Sequence, residues 1–200
     1  MKKLKEILFK VNINSVYGNT DIDIEKITFD SRNVENKTLF VAINGYTIDG
    51  HDYIDQSLEK GASVIVCEKL PNNFKNKNSV FICVNCSKSA LSIIASNFYN
   101  NPSSKIDLIG ITGTNGKTTI ATLSDFKKNN PSDQKISKEV FLQSIFDDLE
   151  IKSGLVSTIN IEYDNITETS KNTTPDPITV NYHLSKMIEN KIKVCFIEVS

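Results

Sequence analysis

Residues 110–119 read GITGTNGKTT, a glycine-rich turn ending in Gly116-Lys117-Thr118-Thr119 directly behind the apolar run Ile106-Asp107-Leu108-Ile109. A strand, a glycine turn and then a helix from about Thr118 is the order that most restricts the fold, because it demands an α/β unit. Glycines let backbone N–H groups close around a phosphate, and the helix N-terminus adds the positive end of its dipole. A lysine in that turn offers a point charge to the β- and γ-phosphates, and the hydroxyl after it can bind Mg²⁺. Gly113, Thr114, Asn115, Gly116, Lys117, Thr118 and Thr119 are thus candidates for holding a nucleoside triphosphate. The position five before Gly116 is Ile111, so the motif is the variant T-G-T-N-G-K-T rather than the strict G-x-x-x-x-G-K-[ST].

Two hundred residues allow one large domain or two small ones. Upstream, Leu39–Ile43, Ser63–Cys67 and Ser79–Val84 read as buried strands, with a helix near Asp52–Lys60 ending at Gly61. Ser87 is placed to cap a helix carrying Ala90, Leu91, Ile94 and Phe98 on one face. That helix ends at Asn100-Asn101-Pro102-Ser103-Ser104, the most linker-like stretch, which sets an expected boundary between domains 1–104 and 105–200. Beyond it, strands at 106–111, 155–159 and 193–197 alternate with helices, one of them near Asp176–Asn190 with Leu184, Met187 and Ile188 on its apolar face. That alternation predicts a parallel sheet with its ligands at the carboxyl ends of the strands. The polar stretch 124–139, with Pro131, interrupts what should be one helix after the glycine turn and reads as an insertion.

A net charge of −1 leaves no electrostatic footprint for nucleic acid, and no apolar run is long enough to span a bilayer. The start MKKLKEILFK reads as a short amphipathic helix rather than a signal peptide, which places the chain in the cytoplasm. Cys83-Val84-Asn85-Cys86 has metal-site spacing but no second pair opposite it, so the four cysteines read as buried or edge thiols. His51 and His183 read as surface or turn residues, and Thr174-Pro175 as a helix start with Thr174 the cap. Glu198, at the end of an apolar strand, calls for a metal or a protein partner, because an unpaired buried carboxylate is costly.

Thr112–Thr119 resembles the ATP loop of the Mur ligases, the amide-forming enzymes of peptidoglycan precursor synthesis. Asp30-Ser31-Arg32, Leu39-Phe40-Val41-Ala42, Gly45 and Asp49-Gly50-His51 resemble the N-terminal domain that the third and fourth ligases share. Asn172-Thr173-Thr174-Pro175-Asp176 resembles the signature of the third, the MurE type, and Glu198-Val199-Ser200 the start of its E-V-S-S-H segment. The resemblance implies a small N-terminal α/β nucleotide-sugar-binding domain followed by the start of a P-loop parallel-sheet ATPase domain.

By the same resemblance, Phe29, Ser31, Tyr46, Thr47 and Ile48 would contact the uridine nucleotide, and Asn172, Thr173 and Thr174 the muramoyl-peptide. Gly113 to Thr119 would bind ATP, with Lys117 on the transferred phosphate and Thr118 and Glu198 on Mg²⁺. The implied reaction joins a diamino acid, meso-diaminopimelate or L-lysine, to UDP-N-acetylmuramoyl-L-alanyl-D-glutamate through an acyl phosphate. Positive charge is needed there, since an anionic nucleophile must approach an anionic triphosphate. The segment from Thr119 to Leu155 is longer than the family's crossover, and the residues that select the incoming amino acid lie outside these 200. The chain therefore reads as the N-terminal part of a ligase that would not complete the reaction alone. The alternatives are a non-catalytic nucleotide-sugar-binding remnant and the MurF type, which shares the first-domain motifs.

Overall fold

A computed structural model describes residues 1–45, 48–72, 74, 78–111, 145–146, 149–169 and 175–198. The chain divides into two compact units, Met1–Asn100 and Asn101–Ser200. Both are mixed α/β, as the strand and helix alternation predicts.

The first unit runs β1 (Lys2–Lys3), α1 (Leu4–Ile7), β2 (Ile13–Tyr17), β3 (Asp23–Ile24), β4 (Lys26–Thr28), β5 (Thr38–Val41), α2 (Ile54–Glu59), β6 (Ala62–Cys67), β7 (Val80–Val84) and α3 (Ser87–Phe98). Its five-stranded sheet has the order β2-β7-β6-β5-β4, with β4 to β7 mutually parallel and β2 antiparallel to β7. Phe40, Ile65 and Phe81 stand in register across β5, β6 and β7, and their side chains pack with Ile54, Ala42 and Cys67. Strand residues alternate faces, so Leu39, Val41, Val64, Val66 and Ile82 point the other way, and they too are fully buried. Burial on both faces explains why these strands read as unbroken apolar runs.

The expected N-terminal helix is a single turn whose Leu4 and Ile7 are buried. Asn97 of α3 ties that turn down: its Nδ2 donates to Ile7 O at 2.9 Å and to Phe9 O at 2.6 Å. Lys2 Nζ reaches the same helix end, donating to Asn97 O and to Asn100 Oδ1.

The second unit runs β8 (Asp107–Ile111), β9 (Ser153–Val156), β10 (Asn160–Tyr163), β11 (Ile166–Thr169), α4 (Pro177–Glu189) and β12 (Val194–Glu198). The sheet order is β11-β10-β9-β12-β8. β12 is parallel to both β8 and β9, as the crossover pattern predicts, but β10 and β11 add an antiparallel extension that the sequence reading lacks. Their turn is Asp164-Asn165, with Asp164 at φ 52°, a left-handed conformation that Asp tolerates. The strand expected over 155–159 ends instead at Val156, because Ser157 N–H and Oγ both bond Asn160 O at 2.9 Å and turn the chain.

α4 begins two residues later than Thr174-Pro175 would have it. Asp176 is the cap, accepting from the N–H groups of Ile178 (2.9 Å) and Thr179 (3.1 Å), and Pro177 occupies the first turn. Leu184 and Met187 are buried against Ile106, Val156, Ile161 and Cys195. His183 is a correction: it is not a surface residue but 3% exposed on the buried side of α4. Its Nδ1 lies 3.2 Å from Tyr163 Oη, and Nε2 lies 3.7 Å from Glu168 Oε2.

Two expectations follow. A Cβ on Gly154 would sit 2.7 Å from Met187 Sδ, so a side chain there would make the Met187 thioether move out of its seat between β9 and α4. Gly154→Val should destabilise the unit by about 1–3 kcal/mol through overpacking, read from urea unfolding. Burial pushes the His183 imidazole below its ordinary value of 6.5, with Glu168 opposing. The unfolded chain therefore takes up a proton before the folded unit does, and stability present above that value is lost as pH falls through it. Unfolding midpoints at successive pH values should show this loss, and His183→Gln should flatten it.

Candidate functional site

Four parallel strands of the first unit end at the same edge, so the segments after β4, β5, β6 and β7 emerge together. After β4, Asp30 opens a 3₁₀ turn over Ser31–Asn33 by accepting from Arg32 N–H at 2.9 Å. Arg32 also forks onto the same carboxylate through Nε (2.9 Å) and Nη2 (2.8 Å). That guanidinium holds the Asp30 carboxyl below the usual carboxylate range. Ser31 is 8% exposed, and its Oγ donates to Gln56 Oε1 of α2 at 3.2 Å. Lys60 Nζ donates to Ser31 O at 2.9 Å and fixes the turn from below. Phe29 beside it has an exposed ring. The turn therefore presents an aromatic face next to a hydroxyl whose proton is already committed.

After β5 the chain makes a narrow loop closed by an antiparallel bridge between Asn44 and Asp49. Gly45 N–H donates to Ile48 O at 3.0 Å, and Gly50 N–H donates to Ile43 O at 2.8 Å. A Cβ on Gly50 would lie 2.7 Å from Ile43 N, a backbone atom that cannot yield, so this position takes only glycine. Ile48 projects outward, 60% exposed, while Tyr46 and Thr47 lie outside the described residues.

His51 begins the return from this loop and is more than a turn residue. Its N–H donates to Asp49 Oδ1 (2.9 Å), its Nδ1 lies 2.6 Å from the same oxygen, and its Nε2 accepts from Glu68 N–H at 2.9 Å. Glu68, the first residue after β6, receives Ser87 N–H and Ser87 Oγ–H on Oε1, each at 2.8 Å. Those two donors keep the Glu68 carboxyl below the usual range. Ser87 is thus the buried first residue of α3 rather than its cap, which is Cys86. Sequence reasoning passed over Glu68, although a carboxylate closing a five-residue apolar strand was the available signal.

In the second unit β8, β9 and β12 end at one edge, and Glu198 stands in register with Ile111. Glu198 is half-buried, and its Oε2 accepts from Thr158 N–H at 3.0 Å and Thr158 Oγ1 at 2.8 Å. A protein partner therefore meets the demand that its burial raised. Thr158 escaped notice because it was counted within the strand; the turn at Ser157 frees it to face Glu198. Gly113, Thr114, Asn115, Gly116, Lys117, Thr118, Thr119, Asn172, Thr173, Thr174 and the 124–139 stretch lie outside the described residues. Among the described residues no group of three His, Cys, Asp or Glu could hold a metal, and no helix is long and apolar enough to cross a membrane. The cysteines are free thiols, with Cys67 and Cys195 pushed up to about 12 by burial.

A family model described as "Mur ligase family, catalytic domain" matches residues 23–99. The chain is 41% identical over 199 residues to the UDP-N-acetylmuramoyl-L-alanyl-D-glutamate--2,6-diaminopimelate ligase of Cytophaga hutchinsonii, covering 99% of this chain and 37% of that protein. It is 42% identical over 198 residues to the ligase of the same name from Bacteroides fragilis, with the same shares of 99% and 37%. The chain thus spans about 37% of the length of these curated relatives. A solved structure of a ligase of that name matches with a TM-score of 0.66 at 18% identity, over 100% of this chain and 36% of the other. MurF from Acinetobacter baumannii matches with a TM-score of 0.59 at 16% identity, over 99% and 35%. Those two likenesses are likenesses of fold. Identity of this order is sustained along nearly the whole chain, and the family model matches inside the first unit, so it is Mur ligases that the chain is similar to from end to end.

Proposed function

We propose that the chain serves an ATP-dependent amide ligase of peptidoglycan precursor synthesis, of the MurE type, acting in the cytoplasm. The observation that carries this reading is the 41% identity, over 99% of the chain, to a ligase named for joining 2,6-diaminopimelate to UDP-N-acetylmuramoyl-L-alanyl-D-glutamate. In this reading residues 1–104 hold the sugar nucleotide and residues 105–200 begin the ATP domain. Phe29, Ser31, Tyr46, Thr47 and Ile48 take the uridine nucleotide, and Asn172, Thr173 and Thr174 the muramoyl-peptide. The exposed Phe29 ring suits a base that needs a stacking face, and the Ser31 oxygen, donating to Gln56, keeps lone pairs to accept a base N–H.

Gly113, Thr114, Asn115, Gly116, Lys117, Thr118 and Thr119 cradle the ATP phosphates, with Lys117 offsetting charge on the phosphate that is transferred. Glu198 and Thr118 would hold Mg²⁺. Oxygen donors suit that ion, and the register of Glu198 with Ile111, the residue just before Thr112, supports the pairing. Bound there, the metal would supply charge to neutralise the phosphates. The chain's own contribution is to orient: Thr158 fixes the rotamer of Glu198, so the carboxylate need not be ordered on binding. By the relatives' name the amino acid added would be 2,6-diaminopimelate.

Titration calorimetry tests this directly. UDP-N-acetylmuramoyl-L-alanyl-D-glutamate should release heat on binding, Mg-ATP should bind separately, and Lys117→Ala should abolish the second without changing the first. Absence of sugar-nucleotide binding would overturn the reading. Preference for the nucleotide already carrying the diamino acid would assign the chain to the MurF type, and sugar-nucleotide binding with no response to Mg-ATP would make it a binding remnant.

A further inference from the structure

His51 has a more specific place in this arrangement than its position in a turn requires. Glu68 N–H can donate to Nε2 at 2.9 Å only if that nitrogen carries a lone pair. The ring proton therefore sits on Nδ1, where it is donated to Asp49 Oδ1 at 2.6 Å. The imidazole is thus a strap between two strand ends: one nitrogen holds the last residue of the loop after β5, the other holds the first residue after β6. The strap is itself anchored, because Glu68 Oε1 receives both donors of the fully buried Ser87 at the start of α3. Cys83 Sγ adds a contact to Glu68 O at 3.5 Å.

The geometry around the strap leaves the loop base few alternatives. Gly50 is pressed against the backbone of Ile43, and Asn44 is bridged to Asp49, so the two ends of the loop are fixed where they leave the sheet. Ile48 is thrust into solvent from that base. The His51 side chain is only 14% exposed, so it acts behind the loop rather than on whatever the loop touches.

We propose that His51 is a positioning residue, which holds the described base of the loop after β5 in its ligand-ready place by strapping Asp49 to the Glu68 backbone. This rests on the reading that the loop contacts the sugar nucleotide. A loop base already held in the free protein loses less entropy on binding, so removing the strap weakens affinity without removing a contact.

The test uses the full chain and calorimetric titration with UDP-N-acetylmuramoyl-L-alanyl-D-glutamate. His51→Ala should weaken binding about tenfold, with Mg-ATP binding unchanged. His51→Gln, whose side-chain carbonyl reaches where Nε2 stood, should recover most of the affinity. His51→Asn keeps an N–H near Asp49 but is too short to reach Glu68, so it should bind as weakly as the alanine variant. The Gln and Asn pair decides the matter even where His51→Ala does not fold. Nitrogen-15 NMR of the free protein should find the ring proton on Nδ1. Equal affinity for wild type and His51→Ala, or for Gln and Asn, would overturn the proposal while leaving the functional reading intact. A wild type that binds no sugar nucleotide would instead overturn that reading, and the strap's role with it.

Discussion

Everything at the candidate site of the first unit depends on the parallel run of β4 to β7. Parallel neighbours cannot be joined by a tight turn; each connection must travel back along the sheet before the next strand begins. All the segments that leave the strands therefore leave at one edge, and residues distant in sequence are brought side by side there. Asp49, Glu68 and Ser87 are linked in this way through His51, each following a different strand. The sheet core carries the geometry: Phe40, Ile65 and Phe81 in one row fix the register, and the register fixes which loop residue faces which.

What the amino-acid sequence discloses follows the same physics. β5, β6 and β7 are buried on both faces, so they stand out as apolar runs whatever their neighbours are. β2 and the β10–β11 hairpin are half-exposed and carry Asn, Ser, Glu and Thr between their apolar residues. Only β10, Asn160-Ile161-Glu162-Tyr163, alternates apolar and polar, and although the Asp164-Asn165 turn follows it, so short a polar strand competes poorly with a loop. The site divides along a similar line. Glu198 is legible from its place at the end of an apolar strand, and Ser31 from the resemblance its motif carries. Their partners Gln56, Lys60 and Thr158 were not, because a hydrogen bond across 25 to 40 residues leaves no trace in spacing. His183 was misjudged for a related reason: a histidine is polar by type, and only Tyr163 and the helix face make it a core residue.

The second unit shows a different balance. Its three parallel strands set the edge where Glu198 meets Thr158, while the antiparallel hairpin widens the sheet on the far side of β9. Adding strands there buries Tyr163 and Ile161 against α4 and gives the helix a broader seat than three strands would. Gly154 is the counterpart on the strand side, leaving space for the Met187 thioether.

Asn97 has a consequence for how the chain is made. Its amide satisfies the carbonyls of Ile7 and Phe9, about ninety positions earlier, so those oxygens wait for their partner until α3 has been synthesised. Closing so long a segment costs entropy that no local contact repays in advance. The beginning of the chain is therefore held twice, first by its pairing with β3 and only later, once α3 has been made, by Asn97.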